Sequence, residues 1–162
     1  MDQFEGVRIL HIVRDPKTYA ESHLRHGVFR GFKGLVSRFF PYWLIKPRHL
    51  GIKTARLWLK MSQHVRLFWF WTLVNRVIEN DCRDLGERYR VVRFEDLFSD
   101  QELFLDTLIW LGMSNDKAGA ATELISERYN IGAQPYKGAS ADEDEMLADI
   151  CGDLLEQYGY QR

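Results

Sequence analysis

The chain has 162 residues, of which 46% are hydrophobic and 28% are charged, and its formal net charge is −1. Chains of this length normally fold as one domain, and this composition excludes disordered, collagen-like and low-complexity proteins. Because the sequence shows neither an apolar stretch of about 20 residues nor a signal-peptide pattern at its start, we expect a cytoplasmic protein without a membrane span.

The two cysteines, Cys82 and Cys151, lie far apart and belong to no CxxC pattern. They predict reduced structural thiols rather than a disulfide framework or a zinc site. The sequence also lacks the glycine-rich nucleotide loops, the HExxH zinc motif and the GxSxG nucleophile motif. We therefore predict no metal centre and no chemistry of those classes.

Charged residues are segregated along the chain. Between Glu21 and Glu79 there is no acidic residue, but there are eleven basic ones, which we call the basic segment: Arg25, Arg30, Lys33, Arg38, Lys46, Arg48, Lys53, Arg56, Lys60, Arg66 and Arg76. The chain after Ala139 is an acidic tail with seven carboxylates: Asp142, Glu143, Asp144, Glu145, Asp149, Asp153 and Glu156. Two interpretations stay open: a surface for an anionic partner such as a glycan or lipid, or a solvated face that pairs with the tail.

The first predicted elements are a strand, a tight turn and a helix. Residues 7–13 (VRILHIV) form a short apolar run rich in branched side chains, which is typical of a buried parallel strand. Asp15 is a favourable N-cap and Pro16 suits the first helical position. A helix is therefore predicted from residue 17 to about residue 26.

The middle of the chain is harder to interpret. Residues 29–50 are aromatic, basic and interrupted by Gly and Pro, which predicts loops and short helical turns. A long helix is predicted over residues 52–83, with a buried face at three- and four-residue spacing: Leu57, Met61, Val65, Phe68, Thr72, Asn75 and Ile78. Aromatic and basic residues alternate here as they do in some single-stranded nucleic-acid sites, but a hydrophobic core explains most of these aromatics, and we predict no specific nucleic-acid partner.

The second half of the chain begins with another predicted strand, residues 89–93 (YRVVR). Ser99 and Glu102 form a capping box for a helix that ends at Gly112, and its buried face is predicted to contain Leu103, Phe104, Thr107, Leu108 and Leu111.

Two more helices are predicted after Gly112. The first covers residues 116–128. Ser140 and Glu143 form a second capping box, and the helix after it ends at Gly159 with an apolar stripe on one face: Met146, Leu147, Ile150, Cys151, Leu154, Leu155 and Tyr158.

Two strands among five or six helical segments are few for an α/β domain, whose sheet usually has about 4–6 strands. Either the loop regions contain edge strands, or the chain is the C-terminal half of a domain whose first units are absent.

Arg14 follows the first strand directly, and in open α/β sheets ligands bind beyond the carboxyl ends of the strands. Ser22 comes eight residues later, about two helical turns on, where its hydroxyl could share a phosphate with the guanidinium. The alternative is that Arg14 pairs with a neighbouring acid and Ser22 is an ordinary surface serine.

Several motifs, in order, resemble the sulfotransferases that use 3′-phosphoadenosine-5′-phosphosulfate (PAPS). RILHIVRDPKTYAES resembles the segment of that family that binds the 3′-phosphate: an apolar strand, R-D-P, and a serine eight residues after the arginine. YRVVRFEDL resembles the strand that ends in a Tyr/Phe-Glu-Asp-Leu turn, and SDQELFLDTLIWLGM resembles the helix after it. PYKG resembles the late loop that closes over the nucleotide, and LLEQYGY resembles the family's C-terminal ending.

The resemblance implies a helix-rich, three-layer α/β fold like that of the P-loop NTPases, with residues 1–162 as the C-terminal portion of one sulfotransferase-like domain. It implies transfer of a sulfuryl group to an acceptor hydroxyl or amine, with PAPS as co-substrate and no metal. Arg14 and Ser22 would hold the 3′-phosphate, and Lys137 with the backbone N–H of Gly138 would close the same site.

The sequence also departs from the family's pattern. The phosphosulfate loop, a Lys/Arg-Ser-Gly-Thr-Thr-like turn, should precede Arg14, but it is absent from the thirteen residues before it. No residue inherits the role of general base, and His23 and His26 fit structural or solvated roles better. Glu95 and Asp96 are expected to be structural. We therefore expect this chain alone to be inactive and to need a missing N-terminal half or a partner chain.

Two other functions remain open from the sequence. One is a non-catalytic nucleotide-binding module, which includes the case of a truncated relic of the enzyme. The other is a polyanion-binding or peripheral membrane protein that uses the basic segment.

Overall fold

The computed structural model describes residues 6–26, 61–128 and 141–160, which form a helix-rich α/β structure. In chain order the elements are β1 (Ile9–Val13), α1 (Pro16–Arg25), α2 (Gln63–Cys82), a 3₁₀ helix (Arg83–Arg88), β2 (Tyr89–Arg93), α3 (Phe94–Ser99), α4 (Gln101–Trp110), α5 (Asn115–Arg128) and α6 (Ala141–Gln157). Among these residues no helix has the length and apolar character needed to cross a membrane.

The two strands pair in parallel, which agrees with the parallel strand predicted at residues 7–13. Ile9 pairs with Tyr89 and Val13 pairs with Arg93, so both strands end at the same edge. The prediction of a wholly buried strand is only partly correct, because Ile12 is 44% exposed while His11 is buried. The buried position is thus taken by a polar residue, and its apolar neighbour faces solvent.

The chain divides into two compact units. The first contains Met1–Asp15 and Val74–Pro135, and the second contains Pro16–Leu73 and Tyr136–Arg162. Helix α2 contributes to both, since the division falls within it.

In the first unit, the two faces of the strand pair contact different helices. On the face of the odd-numbered strand residues, His11 of β1 is hydrogen-bonded to Asn75 of α2. On the face of the even-numbered residues, the Arg90 guanidinium lies 4.8 Å from the centroid of the Trp110 ring and bonds Asp106 of α4 at 2.5 Å. Successive strand residues face opposite sides of a sheet, so helical residues meet both faces of this strand pair.

The second unit has an apolar core between α2 and α6. Trp71 packs edge-on against Tyr158 with ring centroids 6.0 Å apart. The Thr72 hydroxyl lies 3.3 Å from the Cys151 sulfur, and that thiol contacts the Phe68 carbonyl at 3.6 Å. Both cysteines of the chain are free and buried, as predicted.

The predicted face of α2 and the stripe of α6 are largely confirmed. The buried members are Val65, Phe68, Thr72, Asn75, Leu147, Cys151, Leu154, Leu155 and Tyr158. Met146 and Leu111 were assigned to buried faces, but they are 46% and 44% exposed. Met146 lies in the first turns of α6 and Leu111 lies just beyond α4, where the chain leaves the helix axis.

The helix predicted over residues 52–83 corresponds in the described part of the chain to α2, which begins at Gln63, while residues 52–60 lie outside the described residues. The Ser62 hydroxyl accepts the Val65 N–H at 3.3 Å as the N-cap of α2. The start predicted for the helix before Gly112 is wrong. The Ser99–Glu102 capping box is replaced by Asp100, whose carboxylate accepts the N–H groups of Glu102 and Leu103 at 3.0 and 3.1 Å. Ser99 instead ends the short helix α3, which the sequence did not predict.

Both predicted glycine stops are confirmed. Gly112 has φ +97° and Gly159 has φ +72°. After α4, the Gly112 N–H donates to the Ile109 carbonyl at 2.8 Å and the Met113 N–H donates to the Leu108 carbonyl at 3.0 Å. This is the Schellman arrangement, in which a left-handed glycine ends the helix. Ser140, which the sequence predicts as the N-cap of α6, lies outside the described residues.

Candidate functional site

The parallel register brings the residues that follow the two strands to one place. Val13 pairs with Arg93, so Arg14 and Phe94 are the first residues beyond the paired strands. We call the group Arg14, Asp15, Phe94 and Glu95 the strand edge. It is the edge at which open α/β sheets bind ligands, and it lies within the first unit.

Arg14 lies at this edge as the sequence predicts, and it is half-buried. Its guanidinium carbon is 4.9 Å from the centroid of the Phe94 ring. A guanidinium that lies over an aromatic ring can still donate hydrogen bonds from its N–H groups, which lie in its own plane. Phe94 was not among the site residues predicted from the sequence, although an aromatic residue directly after the partner strand was the available signal.

The acids that follow Phe94 make local contacts. Glu95 Oε1 accepts the backbone N–H of Asp15 at 3.0 Å, and this bond joins the residue after Arg14 to the start of α3. Asp96 Oδ2 lies 3.3 Å from Arg93 Nε, an ion pair between positions i and i+3. These contacts agree with the structural roles expected for Glu95 and Asp96.

Ser22 lies on α1, in the second unit, so Arg14 and Ser22 belong to different units. Ser22 is half-buried, and its backbone carbonyl accepts the His26 N–H at 3.1 Å. His23 Nδ1 contacts the Tyr19 carbonyl at 2.9 Å, and its ring packs on Tyr19 with centroids 3.9 Å apart. These contacts join the His23 ring to Tyr19 of the same helix.

Helix α1 is also joined to the other helices of the second unit. Lys17 Nζ lies 2.9 Å from Asp144 of α6, and His64 Nε2 of α2 lies 3.6 Å from Glu21. The predicted site residues Lys137 and Gly138 lie outside the described residues.

A buried polar chain, which was not predicted from the sequence, joins the strand pair to α2 in the first unit. His11 Nε2 is 2.7 Å from Asn75 Oδ1, and His11 Nδ1 is 2.7 Å from the Tyr89 hydroxyl. Since an amide oxygen only accepts, the Nε2–H donates to Asn75 and Nδ1 accepts the Tyr89 O–H. His11 and Asn75 are 5% and 6% exposed, so little water reaches the bond between them.

Burial sets the protonation of this chain. It lowers the pKa of His11, against the opposing effects of the Asn75 hydrogen bond and the Glu79 charge. Burial also raises the pKa of Tyr89 to about 12, and the charges of Glu79 and Cys82 add to this rise. At neutral pH, His11 is thus a neutral imidazole held between a donor and an acceptor. A nearly continuous apolar run such as VRILHIV predicts a buried strand but gives no signal for a polar partner of its histidine.

The described residues contain no cluster of three or more His, Cys, Asp or Glu side chains suited to a metal ion. The strand edge offers one arginine beside an aromatic ring and a turn whose backbone N–H is bonded by the Glu95 carboxylate. Comparisons with protein-family models, with curated proteins and with solved structures found no match to this chain.

Proposed function

We propose that this chain carries the 3′-phosphate subsite of a PAPS-dependent, sulfotransferase-like protein. In the complete enzyme a sulfuryl group would pass from PAPS to an acceptor hydroxyl or amine. The corresponding fold proposal is the three-layer, P-loop-like sulfotransferase fold. The observation that carries the proposal is the position of Arg14: directly after a parallel strand, at the ligand edge, with its guanidinium over Phe94.

The residues of the strand edge fit a phosphate monoester. Arg14 brings a positive charge and planar donors, which suit bidentate contact with phosphate oxygens. Its half-buried position strengthens such a contact relative to one in bulk water. Ser22, Lys137 and the Gly138 N–H are proposed as additional ligands of the same phosphate, on the strength of the sequence motifs.

The proposed role of this chain is to bind and orient the donor. PAPS, when bound, supplies the sulfuryl group, which an acceptor oxygen or nitrogen attacks in line. Contacts to the 3′-phosphate lie away from the reacting sulfur, so Arg14 would contribute binding and alignment rather than proton transfer. No residue of the chain is assigned as general base.

Titration calorimetry with two nucleotides tests this proposal. The chain should bind adenosine 3′,5′-bisphosphate more tightly than 5′-AMP, because only the first carries the 3′-phosphate. Arg14→Ala should remove most of this preference, since a charge-assisted contact contributes about 1.5–3 kcal/mol, or roughly ten- to a hundredfold in affinity. Equal affinities of the unmodified chain for the two nucleotides would refute the proposal.

Arg83→Ala is the matched control for this experiment. Arg83 starts the 3₁₀ helix that precedes β2, and its guanidinium donates to the Asn80 side chain at 2.6 Å. Arg14, by contrast, follows β1. The two variants lose the same formal charge. If Arg83→Ala lowers the preference as much as Arg14→Ala, then the preference reflects net charge rather than a 3′-phosphate contact.

The second candidate function is a non-catalytic polyanion-binding module. The run of eleven basic residues with no acid between them supports it, since such a stretch has no local neutralisation. Three of these residues are described: Arg25 and Arg76 are exposed, whereas Arg66 is only 4% exposed. Arg66 is therefore not a surface cation, and the candidate depends on the others.

A further inference from the structure

We infer that Phe94 and Glu95 are positioning residues that hold Arg14 in the orientation that reads a 3′-phosphate, an inference that rests on the proposed function. Two consecutive residues at the start of α3 contact the two residues that directly follow β1. Phe94 lies under the Arg14 guanidinium, with 4.9 Å between the guanidinium carbon and the ring centroid. Glu95 Oε1 accepts the Asp15 N–H at 3.0 Å.

The two contacts restrain different parts of the arginine. The Glu95 bond holds the backbone next to Arg14, which sets where the side chain begins. The Phe94 ring holds the far end, because a cation is attracted to the face of an aromatic ring. An arginine side chain has several rotatable bonds, and ordering them on ligand binding costs free energy. A guanidinium that is already held does not incur that cost again.

The geometry also allows stacking and ligand binding at the same time. The ring lies over the guanidinium carbon, and phosphate oxygens would contact N–H groups in the plane of the guanidinium. Phe94 therefore needs no contact with the nucleotide to affect selectivity. Its effect should appear only for a ligand that carries the 3′-phosphate, and this separates positioning from a general contribution to folding.

The test compares the affinities for adenosine 3′,5′-bisphosphate and 5′-AMP in paired variants. Phe94→Leu keeps an apolar side chain but removes the ring, and it should lower the preference for the bisphosphate about three- to tenfold. Phe94→Trp keeps an aromatic face and should retain the preference. Glu95→Ala should also lower it, whereas Glu95→Gln, whose amide oxygen can still accept the Asp15 N–H, should retain it.

Phe98→Leu is the matched control, because Phe98 lies one turn later on α3 and packs on Phe94 with ring centroids 4.8 Å apart. It measures the loss expected from packing alone. A second readout needs no nucleotide: in an NMR spectrum, the Arg14 side-chain Nε–H proton should show the ring-current shift of a group over an aromatic face, and Phe94→Leu should remove it.

The outcomes separate the two proposals. If the unmodified chain shows no preference for the bisphosphate, the proposed function fails. If it shows the preference and Phe94→Leu leaves that preference intact, the positioning role fails while the subsite stands. If Phe94→Leu weakens both nucleotides equally, or if Phe98→Leu has the same effect on selectivity, Phe94 acts through folding and the inference is overturned.

Discussion

Replacing Asn75 by alanine tests the buried polar chain of the first unit. The His11 Nε2–H donates to Asn75 Oδ1 across 2.7 Å, and both residues are less than one-tenth exposed. In Asn75→Ala the donor stays buried without its acceptor. A buried polar group left unsatisfied costs about 1–3 kcal/mol, whereas an exposed one recovers its bond from water.

Asn80→Ala supplies the control on the same helix. Asn80 is exposed, and its Oδ1 accepts a hydrogen bond from Arg83 at 2.6 Å. Both substitutions gain the same helix propensity, roughly 0.6 kcal/mol, so this gain cancels in the comparison. We expect Asn75→Ala to be less stable than Asn80→Ala by about 1–3 kcal/mol.

Urea unfolding, followed by far-ultraviolet circular dichroism, measures this difference in the free energy of unfolding. Equal slopes of that free energy against urea concentration in the two variants would show that their unfolded states are comparable. For a chain of this size, each kcal/mol corresponds to about 2–4 °C in melting temperature. Equal destabilisation by the two substitutions would show that the His11–Asn75 bond does not contribute as its geometry indicates.

Three further predictions follow from other features. Burial lowers the pKa of His11, so as the pH falls the unfolded chain takes up a proton on this histidine before the folded chain does. The free energy of unfolding should therefore fall as the pH drops below about 6.5, by at most about 1.4 kcal/mol per pH unit from this group. An NMR titration of the His11 imidazole with a midpoint above 6.5 would contradict this. Gly112→Ala should destabilise the chain by about 1–2 kcal/mol, because the φ of Gly112 is +97°. Gly119→Ala, inside α5, should stabilise it by about 0.5–1 kcal/mol. Neither added methyl meets an atom within 4 Å, so melting temperatures that change in the same direction for both variants would refute the conformational argument. If the basic segment forms a polyanion surface, binding to immobilised heparin should weaken steeply with salt, and no retention at about 10 mM salt would exclude that surface.

The sequence predicts element type well where one local signal dominates. The strand at residues 89–93 and the glycine stops at Gly112 and Gly159 are found where they were expected. Each depends on chemistry within a few residues: branched side chains favour strands, and a left-handed glycine ends a helix. Such signals need no knowledge of the rest of the fold.

Predictions fail where two local signals compete. Ser99 and Asp100 are adjacent, and both are good N-caps. The choice of Asp100 leaves Ser99 to complete α3, a six-residue helix that follows β2 without a loop. The sequence could not indicate that helix, because six residues are too few to show a helical period.

Polar residues inside the structure are the other failure. Arg66 belongs to the basic segment but is buried, and His11 belongs to an apolar strand but joins a hydrogen-bonded chain. Composition places charged side chains at the surface and runs of branched apolar side chains in the core. It gives no information about hydrogen-bond partners that are distant in the sequence. Only the parallel register and the position of α2 bring Asn75 and Tyr89 to His11.

The candidate site depends on that register more than on any single residue. Val13 pairs with Arg93, and the same offset continues beyond the strands, where Arg14 meets Phe94 and Asp15 meets Glu95. A slip of one residue would set Arg14 opposite Glu95 and would separate its guanidinium from the Phe94 ring. The parallel register therefore determines whether an aromatic ring supports this arginine at the edge.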